Sequence, residues 1–251
     1  MQPIKTIDEV ITALDQIIET SKKDSSPLGY FAALYKKVTQ KVKEGIEAKH
    51  VFENNRRMER LDVIFASRYI DAYRTFQNGQ PATLSWMEAF DLSKKNSPIV
   101  LQHLLIGMNA HINLDLGIAA AEVMKGKDIN DLENDFNKIN EILASLVKNV
   151  EEDLTQIWPK LQWLLKWTHK FDDFLINFSM KEAREGAWKF AVKFHGTPEN
   201  KKAEAIKTRD KSVAKIGKLI IRPPWLVRII FKIIRRGERG TVAEKIQDME
   251  D

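Results

Sequence analysis

Apolar residues recur at three- and four-residue steps along most of the chain, the period of an amphipathic α-helix. Thr6 to Thr20 is the clearest case, with Ile7, Val10, Ile11, Leu14, Ile17 and Ile18 on one stripe. Thr6 stands where an N-cap is needed, and Glu9, three residues on, completes a capping box. The loop SKKDSSPLG leads to a second helix from about Tyr30 to Ala48, whose stripe is Phe31, Leu34, Val38, Val42 and Ile46. A break at Asn54 and Asn55 precedes a third, from about Arg57 to Phe76, which ends on the turn residues Asn78, Gly79, Gln80 and Pro81. Further helices are expected from Trp86 to Leu92, from Pro98 to about Met124, from Asn130 to Leu154, from Pro159 to Phe178 and from Met180 to His195. Ser179 is the expected cap of the last, with Glu182 three residues later. Thr197 to Asp210 is polar and reads as a looser hinge.

No stretch alternates polar and apolar residues between turns, so strands are not expected. The pattern predicts an all-α fold of about eight to ten helices. It is read as one globular multi-helix domain built around a buried central helix. Residues 1–200 form the helical body, and residues 201–251 form a polar linker and a basic amphipathic C-terminal helix. Composition adds three exclusions. The 43% apolar and 30% charged content is that of an ordinary globular protein, neither disordered nor fibrous. The absence of cysteine removes disulfides, thiolate metal sites and cysteine nucleophiles, and fits a reducing compartment. The N-terminus lacks the pattern of a secretion signal, and apolar runs are broken well before ~20 residues, so no transmembrane helix is expected. A cytoplasmic protein, peripheral at most to a membrane, is the expectation.

The central helix carries the most unusual chemistry. From Ile99 to Ala121 the only formally charged residue is Asp115, yet QHLLIGMNAHINLD is rich in polar side chains. A helix apolar almost all round is buried, and each unpaired polar group it buries costs roughly 1–3 kcal/mol. At about 100° per residue, Gln102, Asn109 and Asn113 share one stripe. His103, His111 and Asp115 line a different, roughly opposite face, with Gly107 between them leaving room for a ligand. His111 and Asp115, at i and i+4, are spaced as a base and its orienting carboxylate, or as two ligands of a divalent metal ion. The catalytic candidates are therefore His111, Asp115 and His103, and the metal candidates His111 and Asp115. The competing reading is a buried hydrogen-bond network that fixes helix register.

Arg60, Arg68 and Asp71 on the third helix are candidate anion-binding or orienting groups, Arg60 and Asp71 lying close in angle around the axis. Asn113 and Arg184 complete the ligand-binding candidates, although stacking of Arg184 on Trp188 is the plainer reading of the latter. Trp158, Trp163 and Trp167 read as core. Asp172 and Asp173 precede the Met180 helix, and His169 and His195 read as surface residues at segment ends. The segment Glu47 to His50 resembles half of a di-iron motif but lacks its second half.

Net charge changes the picture only at the C-terminus. Residues 201–251 hold 14 Lys and Arg against 7 Asp and Glu, while the rest of the chain is nearly neutral. In KLIIRPPWLVRIIFKIIRRGERG, Leu226, Ile229, Ile230, Ile233 and Ile234 form an apolar stripe with Trp225 at its start and Arg228, Lys232, Arg235, Arg236 and Arg239 beside it. Such a helix lies on an anionic membrane surface through Trp225 to Arg236, or packs its apolar stripe on the core. Nucleic acid is not the expected partner, because the aromatic residues are not interleaved with the basic ones.

Three blocks, RMERLDVIFASRYIDAY, QHLLIGMNAHINLDLGIAAA and FSMKEAREGAWKFA, together resemble a bacterial family catalogued as domain of unknown function 5995. The resemblance implies a helical domain around the HINLDL segment and carries no activity with it. By the same resemblance, Arg60, Asp62, Arg68, Asp71, His103, His111, Asn113, Asp115, Arg184 and Trp188 are the positions of interest. Two functions remain open. One is hydrolytic or acid–base chemistry on a small or lipid-like molecule in a His/Asp/Arg pocket, with or without a metal. The other is a non-enzymatic module that binds a lipid or membrane surface and holds its polar core residues as a structural network.

Overall fold

In the computed structural model, residues 3–139, 142 and 180–250 are described. They form helices α1 (Ile7–Lys23), α2 (Leu28–Glu47), α3 (Asn55–Gln77), α4 (Leu84–Leu92), α5 (Val100–Ala110), a π-helical turn (His111–Leu116) and α6 (Gly117–Val123). A 3₁₀ turn (Ile129–Leu132) and helical residues 133–139 follow. After the undescribed segment come α7 (Met180–His195), α8 (Glu199–Ile221), α9 (Trp225–Gly237) and α10 (Val242–Glu250). No strand occurs among the described residues, so the all-α expectation holds. Most of the two helices expected between Asn130 and Phe178 lies outside the described residues. So do Trp158, Trp163, Trp167, His169, Asp172, Asp173 and the Ser179 cap.

α5, the π turn and α6 run on as one rod, Val100–Val123, and this rod is the centre of the fold. α2 and α4 pack on α5, α3 and α7 pack on α6 and the π turn, and α8 lies across α4 and α5. α1 and α10 close over α2. The rod corrects one expectation: it is the one helix among the described residues long and apolar enough to cross a membrane. Of its most apolar 18-residue stretch, 94% is buried within the protein, which accounts for its composition as that of a core helix.

Gly117 lets the rod approach α7 closely, because a Cβ there would stand 2.8 Å from both the Ala187 carbonyl oxygen and a Phe190 ring carbon. Gly107 performs the same service toward α2. A Cβ at that position would meet the Phe31 ring at 2.5 Å, so the space expected for a ligand is filled by an aromatic side chain.

Three helix N-termini are closed by buried acids from far along the chain. Asp135 accepts from the backbone N–H of Glu53 (2.7 Å) and Asn54 (3.3 Å) at the start of α3, and from Arg57 Nη2 (2.6 Å). Asp210 accepts from the N–H groups of Leu84 (2.7 Å) and Ser85 (2.9 Å) at the start of α4. Glu238 accepts from Val100 N–H (2.8 Å) at the start of α5, and from Lys245 Nζ (3.1 Å). Each carboxylate satisfies backbone donors that a helix start leaves open and complements the positive end of the helix dipole.

Two local expectations change. The Thr6 hydroxyl does accept from Glu9 N–H (3.2 Å), but Glu9 reaches back to Lys5 N–H (2.6 Å) rather than to Thr6. The supposed hinge after Thr197 is the first half of α8, one continuous helix of 23 residues. Lys, Glu and Ala are good helix formers, and Asp210, Val213, Ala214, Gly217 and Ile220 supply its buried stripe.

Candidate functional site

The polar residues of the rod separate into three places. The first is a staple to α8. Gln102 accepts from Ile99 N–H (3.3 Å) and donates through Nε2 to the Ile220 carbonyl (2.9 Å). Asn109 Nδ2 donates to the Val213 carbonyl (3.0 Å), and Asn113 Nδ2 donates to Asn109 Oδ1 (3.1 Å). Arg209 Nε donates to the Asn113 carbonyl (2.8 Å). The amide stripe expected from the spacing thus holds α8 along the rod, and Asn113 is spent in that contact.

The second place surrounds His111 and Asp115. The two meet at 3.4 Å between Nδ1 and Oδ2. The π turn gives each residue a slightly smaller rotation than an α-helix does, yet it keeps i and i+4 on the same side. Asp115 takes two stronger bonds: Arg68 Nε donates to Oδ1 at 2.8 Å, and Trp86 Nε1 donates to Oδ2 at 2.8 Å. The carboxylate therefore ties α3, α4 and the π turn together. The His111 ring lies flat against Phe65, centroids 3.6 Å apart and planes 6° from parallel. Tyr35 meets it edge-on at 4.4 Å, with Phe31, Trp86 and Tyr69 around the remaining sides. His111 and Asp115 are each 1% exposed. Burial lowers the His111 pKa, against the opposing pull of Asp115, so the ring is neutral. With the Nδ1 proton directed to Asp115, Nε2 is a bare acceptor, buried and without a partner.

Asp62 and Tyr35 belong to the same region. The Asp62 Oδ2 and the Tyr35 hydroxyl are also buried without hydrogen-bond partners. Burial first, and Glu59 second, push the Asp62 carboxyl from 3.8 up to about 8. Burial and the nearby Asp62 raise the Tyr35 hydroxyl as well. The linkage has a definite sign. Asp62 keeps a proton in the fold that the unfolded chain has released, so stability falls as the pH rises from about 4 through 8. The melting temperature of the wild type relative to Asp62→Asn is expected to drop by several degrees across that interval, at roughly 2–4 °C per kcal/mol. A pH-independent difference between the two proteins would contradict the assignment.

The third place holds His103, and here the sequence expectation fails. His103 does not join His111 and Asp115. It packs against Tyr30, ring centroids 5.7 Å apart, near the cations Arg235 and Lys245. Burial first, then those charges, lower its pKa to about 3. The two histidines stand eight positions apart, more than two turns of helix and about 80° around its axis, so they face different neighbours. Two other groupings also dissolve. Arg60 is exposed, and Asp71 is exposed and faces Arg74 at 3.7 Å. Arg184 packs over the Phe136 ring at 5.0 Å rather than on Trp188, donates to the Phe136 carbonyl (2.8 Å), and is lowered by burial to about 10. His195, expected at the surface, is half-buried, with Nε2 3.1 Å from the Met124 carbonyl oxygen.

The family of unknown function DUF5995 matches the chain over residues 7–223. The chain belongs to that family. The matched span takes in α1 to α8 and all three polar places of the rod, and ends at the turn before α9. No curated protein and no solved structure matches the chain.

For this DUF5995 member, the chemistry available at His111 is limited by its surroundings. An Asp-oriented imidazole with a free Nε2 is the arrangement of a general base. A base needs its substrate within hydrogen-bond reach, and here the ring is covered on one face and edged by aromatic groups. Both Asp115 oxygens are already engaged by Arg68 and Trp86. Among the described residues, no group of three or more His, Asp or Glu side chains is arranged to hold a metal. The arrangement fits a buried network that fixes the π turn.

The remaining candidate surface is α9. The single apolar stripe expected on α9 is two stripes. Val227, Ile230, Phe231 and Ile234 are buried in the core, while Trp225, Ile229 and Ile233 remain 62%, 47% and 45% exposed. Leu219 and Ile216 on α8 are also exposed, at 62% and 41%. Lys218 on α8, Arg222 at its end, and Arg228, Lys232 and Arg236 on α9 are exposed as well.

Proposed function

We propose that the protein is a non-enzymatic helical module that docks peripherally on an anionic membrane surface through α9. The supporting observation is the exposure of Trp225, Ile229 and Ile233 after the other apolar side of the same helix has been spent on the core. A helix that needs only to pack requires one apolar face; this one has a second. Around a helix at about 100° per residue, Trp225, Ile229 and Ile233 fall in one sector, Arg228 and Lys232 fall beside it, and Arg236 falls within its edge. That is the division found in helices lying in the headgroup region of a bilayer.

The magnitudes favour reversible binding. A cation held near an anionic leaflet contributes about 1 kcal/mol, and each half-exposed apolar side chain that enters the interface contributes on the order of 1 kcal/mol. No single term anchors the protein, so attachment depends on both kinds of residue and weakens with salt.

Sedimentation with vesicles tests the reading. The protein is expected to pellet with vesicles of phosphatidylglycerol in phosphatidylcholine, to stay in solution with phosphatidylcholine alone, and to be released at high salt. The triple variant Trp225→Ser, Ile229→Ser, Ile233→Ser is expected to bind at least ~10-fold more weakly while its circular dichroism is unchanged, because the three side chains are exposed. Failure of the wild type to bind the anionic vesicles, or equal binding by the triple variant, would overturn it.

A further inference from the structure

Beside the exposed apolar ridge of α9 lies a cleft of about 440 Å³. It is formed where the α4–α5 connection, the α8–α9 turn and one side of α9 meet. Six cationic side chains line it: Lys95, Arg222, Arg228, Lys232, Arg235 and Arg236. No carboxylate does. Leu92 and Phe231 are among its apolar lining.

The cations differ in how they are held. Arg235 is fixed in place, with Nε and Nη2 donating to the Asn96 carbonyl at 3.2 and 3.0 Å and Nη1 to Glu238 at 3.2 Å. No ion pair among the described residues engages the side chains of Lys95, Arg222, Arg228, Lys232 or Arg236. Five unpaired like charges around one concavity repel one another, and a concave wall of one sign concentrates anions. The charge is thus arranged for an anion that the cleft receives from outside.

The composition of the lining narrows the anion. Four of the six cations are arginines, whose planar forks donate in pairs to phosphate oxygens. A phosphomonoester carries nearly two negative charges near neutral pH and three acceptor oxygens, where a phosphodiester carries one charge and fewer free oxygens. The volume lies within the range of small-molecule sites, so it admits a headgroup and not merely an ion. The exposed Trp225, Ile229 and Ile233 stand on the adjacent sector of α9, where the apolar part of a lipid would continue from a headgroup seated in the cleft.

We infer that the cleft binds a phosphomonoester group, and that a membrane lipid presents it. This rests on the membrane reading above and adds selectivity to it. Vesicles of phosphatidic acid and of phosphatidylglycerol, each in phosphatidylcholine and matched in surface charge, distinguish the two. The wild type is expected to bind the phosphatidic acid vesicles at least ~10-fold more tightly. The double variant Lys95→Gln, Arg222→Gln, both exposed positions outside the apolar ridge, loses general attraction to either anionic surface and is expected to bind the two kinds of vesicle equally, its affinity falling about 10-fold further on phosphatidic acid than on phosphatidylglycerol.

Equal affinity for the two lipids in the wild type would overturn the cleft and leave membrane docking standing. Absence of binding to either lipid would overturn membrane docking itself. Titration with soluble glycerol 3-phosphate supplies the other arm. Binding tighter than to phosphatidic acid vesicles, lost in the double variant, would keep the phosphomonoester chemistry but overturn a lipid as its source. More effective competition by a single-stranded oligonucleotide than by phosphatidic acid vesicles would overturn it in favour of a nucleic acid.

Discussion

Replacing Asp115 with alanine is expected to lower the free energy of unfolding by about 3–5 kcal/mol, the cost of removing one partner from a buried ion pair. The Asp115 side chain is 1% exposed and accepts from Arg68 on α3 and Trp86 on α4. Its loss leaves the Trp86 indole N–H buried without an acceptor, which by itself costs about 1–3 kcal/mol. Arg68 is 24% exposed in its side chain and recovers part of its solvation from water, which keeps the total within that range. His111 loses its only polar contact. Urea denaturation reads the change as a lower midpoint at unchanged slope. Asp115→Asn keeps an acceptor for Trp86 and is expected to fall between alanine and wild type. A cost below about 1 kcal/mol for the alanine variant would show that the carboxylate does not hold the three helices together.

That expectation separates structure from function at the position where the sequence concentrates its unusual residues. The density of polar groups in the rod was readable from the chain, and so was the inference that they need partners. The amide stripe was legible as structural glue because Gln102, Asn109 and Asn113 follow a regular helical spacing. The His103, His111 and Asp115 grouping was not, for two reasons. Residues eight apart drift in angle on any helix, and the π turn at His111–Leu116 has no signature in residue type. Gly107 suggested empty space, but the sequence could not say that Phe31, from another helix, fills it.

The same limit applies to the acids that close α3, α4 and α5. Asp135, Asp210 and Glu238 look like ordinary helix or loop carboxylates, and their partners lie 78 to 138 residues away. Only a tertiary fold brings them together. Local signals did better where the effect is local. The stripe of α1, the Thr6 cap and the end of α7 at His195 follow from short-range spacing and agree with the structure. The polar first half of α8 misled because helix propensity, not an apolar stripe, carries it. On α9 the apolar positions were visible, but spacing alone did not show that they form two faces, of which the core can cover one.

Membrane docking turns on that second face, and the chain offers a direct way to watch it. It contains no cysteine, so Ile229→Cys provides a unique attachment point for an environment-sensitive fluorophore at an exposed site. Val192, 41% exposed on α7, provides a matched apolar control through Val192→Cys. The measurement is the emission of each labelled protein as vesicles of phosphatidylglycerol in phosphatidylcholine are added, with phosphatidylcholine alone as reference. A blue shift and rise in intensity at position 229, reversed by salt and absent at position 192, is the result that docking through α9 requires. An unchanged spectrum at position 229 in the presence of anionic vesicles, or an equal change at position 192, would contradict it.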